Sequence, residues 1–174
     1  MKEIPLTKGY VALVDDEDHA DLSRYNWRAV VRRNTVYALR TSFQRFGPRR
    51  SIKMHRQILG LSPGQKPDVD HIDGDGLNNT RKNLRPASLS QNGANQRPQR
   101  GKSSRFKGVR RKGGRWVAEI RIDKARRALG YFVSEEEAAR AYDSAARAAF
   151  GVYARLNLPP DAGGGTGEGG EAQR

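Results

Sequence analysis

Val69-Asp70-His71-Ile72-Asp73-Gly74-Asp75-Gly76-Leu77-Asn78-Asn79 sets a carboxylate beside an imidazole and closes a glycine-rich turn with two carboxamides. Asn83 and Asn92 follow, at spacings that a short hairpin and a helix bring together. An Asp and an Asn hold one hard divalent cation through oxygen, and a neutral His beside them takes a proton from water. A single Asp-His pair in such a turn is usually only a turn, so the weight rests on residue types, order and spacing agreeing from Val69 to Asn95. Asp73 and Asp75 do not make a calcium loop: the fifth position from Asp68 or Asp73 is apolar (Ile72, Leu77) and no Glu stands at the twelfth. They read as turn formers. His55 opens an apolar turn and reads as a packed structural histidine, and His19 has no assigned role.

Upstream, Gly9 to Val14 reads as a strand ended by an acidic turn, Asp15-Asp16-Glu17-Asp18. Trp27 to Val31 and Val36 to Phe43 read as a hairpin bent at Arg33-Asn34-Thr35. Ser51 to Met54 is a strand edge, and His55 to Leu59 is a helical turn stopped by Gly60 and Pro63. Downstream, Gly93 to Ser104 keeps no apolar period and reads as a basic linker.

A second unit follows. In Arg115-Trp116-Val117-Ala118-Glu119-Ile120-Arg121, Trp116, Ala118 and Ile120 share one face and Arg115, Glu119 and Arg121 the other, the period of a half-buried strand. Lys107 to Arg111 and Arg127 to Phe132 are its partner strands. Ser134-Glu135-Glu136-Glu137 is a capping box. Ala138, Ala141, Tyr142, Ala145, Ala146 and Ala149 then recur at helical spacing, and Gly151 supplies the stop. Six glycines within Asp161 to Arg174 imply a disordered tail.

Composition bounds the partner. The 174 residues suit one ordinary domain or two small ones. A net charge of +14 and a pI near 10.6 call for a polyanion, which charge alone leaves open between DNA, RNA, ribosome and anionic membrane. Thirteen Lys and Arg fall between Arg97 and Arg127, against Glu119 and Asp123 alone. Cysteine is absent, which excludes disulfides and Cys-ligated zinc. No apolar run approaches the roughly 20 residues that cross a bilayer, and Met1 to Leu6 carries Glu3 and Pro5 where a signal peptide needs an apolar stretch.

Residues 1 to 96 resemble the HNH homing-type endonucleases of phages and bacteria, in the His-Asn-Asn branch. The matching stretches are Met54-His55-Arg56, Val69 to Asp75, Asn79, Arg81-Lys82-Asn83-Leu84-Arg85 and Ser90 to Asn95. The resemblance implies a ββα-metal site in which Asp70 and Asn92 ligate one Mg²⁺ or Mn²⁺, His71 is the general base and Asn83 orients its imidazole. It implies hydrolysis of DNA phosphodiesters in the cytoplasm of a bacterial cell or phage-infected host.

Residues 104 to 158 resemble the plant ethylene-response-factor type (Apetala-two) DNA-binding domain. The match runs through Phe106-Lys107-Gly108-Val109-Arg110, Trp116 to Arg121, Leu129-Gly130-Tyr131-Phe132, Glu137 to Asp143, Ala145-Ala146 and Leu156-Asn157-Leu158. This resemblance implies a sheet lying in the major groove, with Lys107, Arg110, Lys112, Glu119, Arg121, Arg126 and Tyr142 at the family's DNA-contact positions. The chain departs from the pattern in a shorter loop after Arg110 and in Ala128, where the family has Trp.

The expected fold class is α+β: N-terminal β-hairpins with a ββα-metal module, then a three-stranded antiparallel sheet packed on one helix. The expected boundaries are 1–96 for the nuclease domain, 97–103 for the basic linker, 104–158 for the DNA-binding domain and 159–174 for a disordered tail. The expected function is a metal-dependent DNA endonuclease acting on double-stranded DNA, with no membrane and no small-molecule substrate. The alternative is a DNA-binding regulator whose nuclease module is degenerate.

Overall fold

The computed structural model of the chain describes residues 1–32, 35–42, 49–98 and 103–159. Among them the chain is α+β, with antiparallel sheets and four α-helices. β1 (Lys2–Pro5) pairs with β2 (Val11–Val14) and turns Ile4, Ala12 and Val14 inward. The acidic run expected as a turn is instead the start of α1 (Asp16–Leu22). Asp16, Glu17 and Asp18 occupy its first turn, where carboxylates face the positive end of the helix dipole. Leu22 is driven inside and accepts a hydrogen bond from Trp27 Nε1 at 2.9 Å.

β3 (Arg28–Val31), β4 (Val36–Ser42) and β5 (Arg50–Lys53) form one sheet in chain order. The expected bend residues Arg33 and Asn34, and Phe43, lie outside the described residues. α2 (Met54–Ile58) packs on this sheet, and its buried Met54 joins Val14, Leu22, Trp27, Ala29 and Ala38 in one apolar core. Arg56 is buried too, and its guanidinium donates to the carbonyls of Ser62 and Gln65, which pins the connection to the next strand. β6 (Asp68–His71) and β7 (Leu84–Ala87) form a hairpin against α3 (Leu89–Asn95). Ser88 and Gln91 make a capping box at the start of α3.

The C-terminal half is the expected sheet on one helix. β8 (Val109–Lys112), β9 (Arg115–Ile122) and β10 (Ala125–Phe132) are antiparallel in the order β10-β9-β8. The β8–β9 turn is Gly113-Gly114 with both φ positive, the handedness that two-residue hairpins favour. α4 (Glu135–Phe150) opens on the Ser134/Glu137 capping box. Ala138, Ala139, Tyr142 and Ala146 are buried, whereas Ala149 is exposed. At Gly151, with φ of 53°, the helix ends in a 3-10 turn, Gly151–Tyr153.

A buried carboxylate then governs the return of the chain. Asp143 accepts the backbone N–H groups of Asn157 (2.8 and 2.9 Å) and Leu158 (2.9 Å). Asn157 in turn grips both backbone groups of Lys107, its Oδ1 accepting from the amide N–H at 2.7 Å and its Nδ2 donating to the carbonyl at 3.0 Å. The linker expected at 97–103 is described only in part, and the tail beyond residue 159 lies outside the described residues. No helix among the described residues is long and apolar enough to cross a membrane.

Gly108 sits where this packing is tightest. Its φ is +74°, and an added Cβ would drive into the Tyr142 ring and the Glu119 carbonyl. Gly108→Ala is therefore expected to destabilise the sheet and α4 by about 2 kcal/mol or more, measured as a lowered urea midpoint with tryptophan fluorescence. An unchanged midpoint would refute this packing.

Candidate nucleic-acid interface

The Asp70-His71 segment is placed by the turn that follows it. Asp73 accepts from the N–H of Asp75 (2.8 Å), from Asn78 Nδ2 (2.7 Å) and from Asn83 Nδ2 (3.0 Å). Burial pushes the Asp73 carboxyl up, but these donors outweigh it and the net shift is down. Asp75 caps the next residues through Leu77 N–H, so both aspartates are turn formers. Gly76 lies against the Val36 carbonyl and the Tyr37 ring, leaving no room for a Cβ. The far end is tied to the first sheet: Leu13 N–H donates to Leu77 O and Asn79 N–H to Leu13 O. A cleft of about 530 Å³ results, with Tyr37, Lys53, His55, Asp70, His71 and Asn92 in its wall.

Asp70 was expected to share a divalent ion with Asn92. Its Oδ2 instead takes Arg85 Nε at 2.9 Å and a second guanidinium nitrogen at 2.8 Å. Asn95 Nδ2 lies 3.1 Å from both carboxylate oxygens and 2.7 Å from the His71 carbonyl. Asn92 directs its Nδ2 to Val69 O at 3.4 Å. The donor set does not fit the expected ion: the anionic oxygen is neutralised by a guanidinium and the nearest helical carboxamide presents N–H. Among the described residues no three His, Asp, Glu or Cys side chains gather in a group able to hold a metal. Asp70 and Arg85 are both largely buried, so removing either partner leaves a buried charge uncompensated, at a cost of about 3–5 kcal/mol.

The expected orientation of His71 by Asn83 is also corrected. Asn83 spends its Nδ2 on Asp73 and on the Asn78 carbonyl (2.7 Å), while its Oδ1 accepts from Asp73 N–H. Asn79, fully buried, reaches the imidazole instead, its Oδ1 lying 3.3 Å from His71 Nε2. Because Asn79 Nδ2 donates to the Leu77 carbonyl at 3.0 Å, its oxygen must face the ring, and Nε2 carries the hydrogen. Burial holds His71 below the ordinary histidine range, against the opposing pull of Asn79, Asp73, Asp70 and Asp75. His55 packs edge-on at 4.9 Å from His71; burial, then His71, Lys53 and Arg56, push it down to about 2. The two rings form a neutral, packed pair.

The second feature is the open face of the C-terminal sheet. Strand register puts Arg110 opposite Val117, Lys112 opposite Arg115, Ala128 opposite Glu119, Arg126 opposite Arg121 and Tyr131 opposite Val117, all on the side away from α4. Lys112, Arg115, Arg121, Arg126 and Tyr131 are exposed. Glu119 forks onto Arg110 (2.7 and 3.2 Å) and lies 3.8 Å from Arg126. The Arg110 guanidinium, with Arg126 and Lys112 further off, outweighs the opposing effect of burial and holds the Glu119 carboxyl below the usual range. Glu119 thus arranges arginines. Tyr131, which the sequence reading left without a role, stands on this face beside Arg110.

Two expected contacts are not on this face. Tyr142 is 4% exposed in the apolar layer with Ile120 and Ala146, and burial raises its hydroxyl to about 12. Lys107 directs its Nζ to the Gly93 carbonyl at 2.8 Å and to that of Ala94, at the end of α3. Both stand close in sequence to outward residues, but α4 and the preceding turn carry them inward.

No family model matches the chain. Three curated relatives are plant proteins: dehydration-responsive element-binding protein 2E of Arabidopsis thaliana is 49% identical over 72 residues, 35% of this chain and 30% of that protein. Dehydration-responsive element-binding protein 2C of the same plant is 58% identical over 57 residues, 31% of this chain and 17% of that protein. Ethylene-responsive transcription factor 3 of Nicotiana tabacum is 54% identical over 61 residues, 33% of this chain and 27% of that protein. The chain thus spans less than a third of the length of these relatives. They are named for transcription and element binding, which supports the Apetala-two resemblance and overturns the expected endonuclease, hydrolase and metal-dependent activity. The expected bacterial or phage setting finds no support among them.

The histidine pair gives a pH signature. Both rings have folded values below the unfolded 6.5, so the unfolded chain takes up protons first and stability is lost as pH falls from 6.5. The expected loss is about 1.4 kcal/mol per pH unit for each ring that stays neutral. Denaturant midpoints between about pH 7.5 and pH 5 check it, and His55→Gln is expected to flatten the slope. A midpoint constant across that interval would contradict it.

Proposed function

We propose that this chain is a DNA-associated regulator that binds duplex DNA through the open face of β8, β9 and β10. The observation that carries the proposal is the separation of faces on one sheet. Trp116, Ala118 and Ile120 are committed to α4, while Arg110, Lys112, Arg115, Arg121 and Arg126 answer to no core requirement. A charged face of this kind suits a polyanion. A β-sheet surface fits the major groove, where arginine pairs bidentately with guanine. The names of the plant relatives point the same way.

In this reading Arg110, Lys112, Arg121 and Arg126 touch DNA, and Glu119 sets the angle of Arg110 through its fork. Tyr131 supplies an aromatic edge on a face where Ala128 has replaced the family's Trp. The Asp70-His71 cleft serves as structure: Arg85 and Asn95 saturate the carboxylate, and the imidazoles pack together. RNA is the competing polyanion, and charge alone does not separate the two.

Fluorescence anisotropy with a duplex selected from a random library tests this. Arg121→Ala is expected to weaken binding by about 1–3 kcal/mol if that residue reads a base. Arg126→Ala is expected to lower the salt slope by about one if that residue meets a phosphate. Circular dichroism should be unchanged for both. Parent-like affinity in the double variant, or stronger binding to an equal-length RNA at the same salt, would overturn the proposal.

A further inference from the structure

The two halves of the chain meet across a set of cationic donors and backbone carbonyls. Lys107 Nζ occupies the C-terminal end of α3, where Gly93 O also accepts from Gln96 N–H at 3.3 Å and the carbonyl ends of the helix favour a cation. Its backbone is clamped by Asn157, which fixes the point from which the side chain reaches α3. From the returning segment, Arg155 N–H donates to Ala94 O (3.2 Å), its Nε to Asn95 O (2.9 Å) and its guanidinium to Asp73 O (2.6 Å). Tyr153 Oη donates to Pro86 O at 2.9 Å. Arg85, already paired with Asp70, donates to Val152 O at 2.9 Å and lies 4.2 Å from the Tyr153 ring centroid.

Nearly every bond across this boundary ends on a main-chain oxygen of β7, α3 or the turn at Asp73. Such bonds fix angle as well as distance, because a carbonyl accepts near its own plane. Lys107 and Arg155 are partly or largely withdrawn from water; burial, followed by repulsion from Arg155, lowers Lys107 to about 8, and burial, followed by Arg97, lowers Arg155. A cation withdrawn from water needs acceptors in place of its hydration, and those that Lys107 Nζ and the Arg155 guanidinium find belong to the other half of the chain.

We propose that Lys107 and Arg155 are positioning residues that lock the N-terminal sheets and the C-terminal sheet into one body, so that DNA held by β8–β10 meets the N-terminal half at a fixed place. The proposal rests on the DNA-binding reading only in its last clause. The linker then works as a connection across a made interface rather than as a flexible tether.

The native chain has no cysteine, so Arg24→Cys and Arg147→Cys place two dyes, one on each half, without other changes. Single-molecule energy transfer on the full chain without DNA is expected to give one narrow population. With Lys107→Gln and Arg155→Gln added, the distribution is expected to broaden while circular dichroism and affinity for a short duplex stay as before. A cleavage probe tethered at Arg24→Cys alone should cut bound DNA in one confined window, which the double substitution spreads. A broad parent distribution, or a double variant as narrow as the parent, would overturn the lock. If Lys107→Gln perturbs folding, Arg155→Gln alone serves, since its guanidinium acts only on carbonyls of the other half. If the parent fails to bind duplex DNA while its energy-transfer peak is narrow, the functional reading is lost and the lock stands.

Discussion

A carboxylate withdrawn from water must find a cation or enough N–H groups to replace its hydration, and Asp70 finds both. That requirement organises much of the N-terminal half. Arg85 comes from the paired strand and Asn95 from the helix behind it, so meeting the needs of one side chain fixes β6, β7 and α3 together. Arg85 continues outward to Val152 and Tyr153, carrying the same constraint into the other half of the molecule. Replacing the carboxylate would therefore disturb the hairpin, the helix and the boundary at once, which is the reach expected of a satisfied buried network.

Asp143 plays the corresponding part in the C-terminal half with backbone donors in place of a cation. It turns the chain back after α4, and Asn157 converts that return into a grip on Lys107. Two buried acids thus each anchor one half of the molecule and reach the boundary through short polar relays. Neither relay includes the open face of the sheet, whose arginines are arranged locally, Arg110 by Glu119 and Arg121 by the Lys124 carbonyl.

Local signals were the readable part of the sequence. Alternation from Arg115 to Arg121 and the Ser134-to-Glu137 spacing specify a strand and a helix start from neighbouring residues alone, and both appear as expected. The aspartates of the turn at 73–75 were equally clear, since each accepts from a backbone N–H two residues on. Long-range pairing was hidden. Nothing near Asp70 signals that Arg85, on the paired strand, will claim it, and a carboxylate that could bind a metal looks the same as one that binds a guanidinium. The acidic run at 15–18 reads as a turn by composition, yet a helix tolerates three acids in its first turn. Tyr142 and Lys107 matched family contact positions by letter, whereas their orientation depends on packing that spacing does not encode.

Alternation along β9, broken only where Val117 and Ala118 are both buried, bears on change over time. Core-facing and outward positions of β9 point to opposite sides of one backbone, so exposed outward residues such as Arg115 and Arg121 can be exchanged without entering the layer on α4, whereas buried Val117 cannot. Ala128 lies on the outward face opposite Glu119, and the register of β10 on β9 shifts by one residue between it and Gly130. A scaffold of this kind lets binding preference wander through substitution after substitution while its folding instructions stay put.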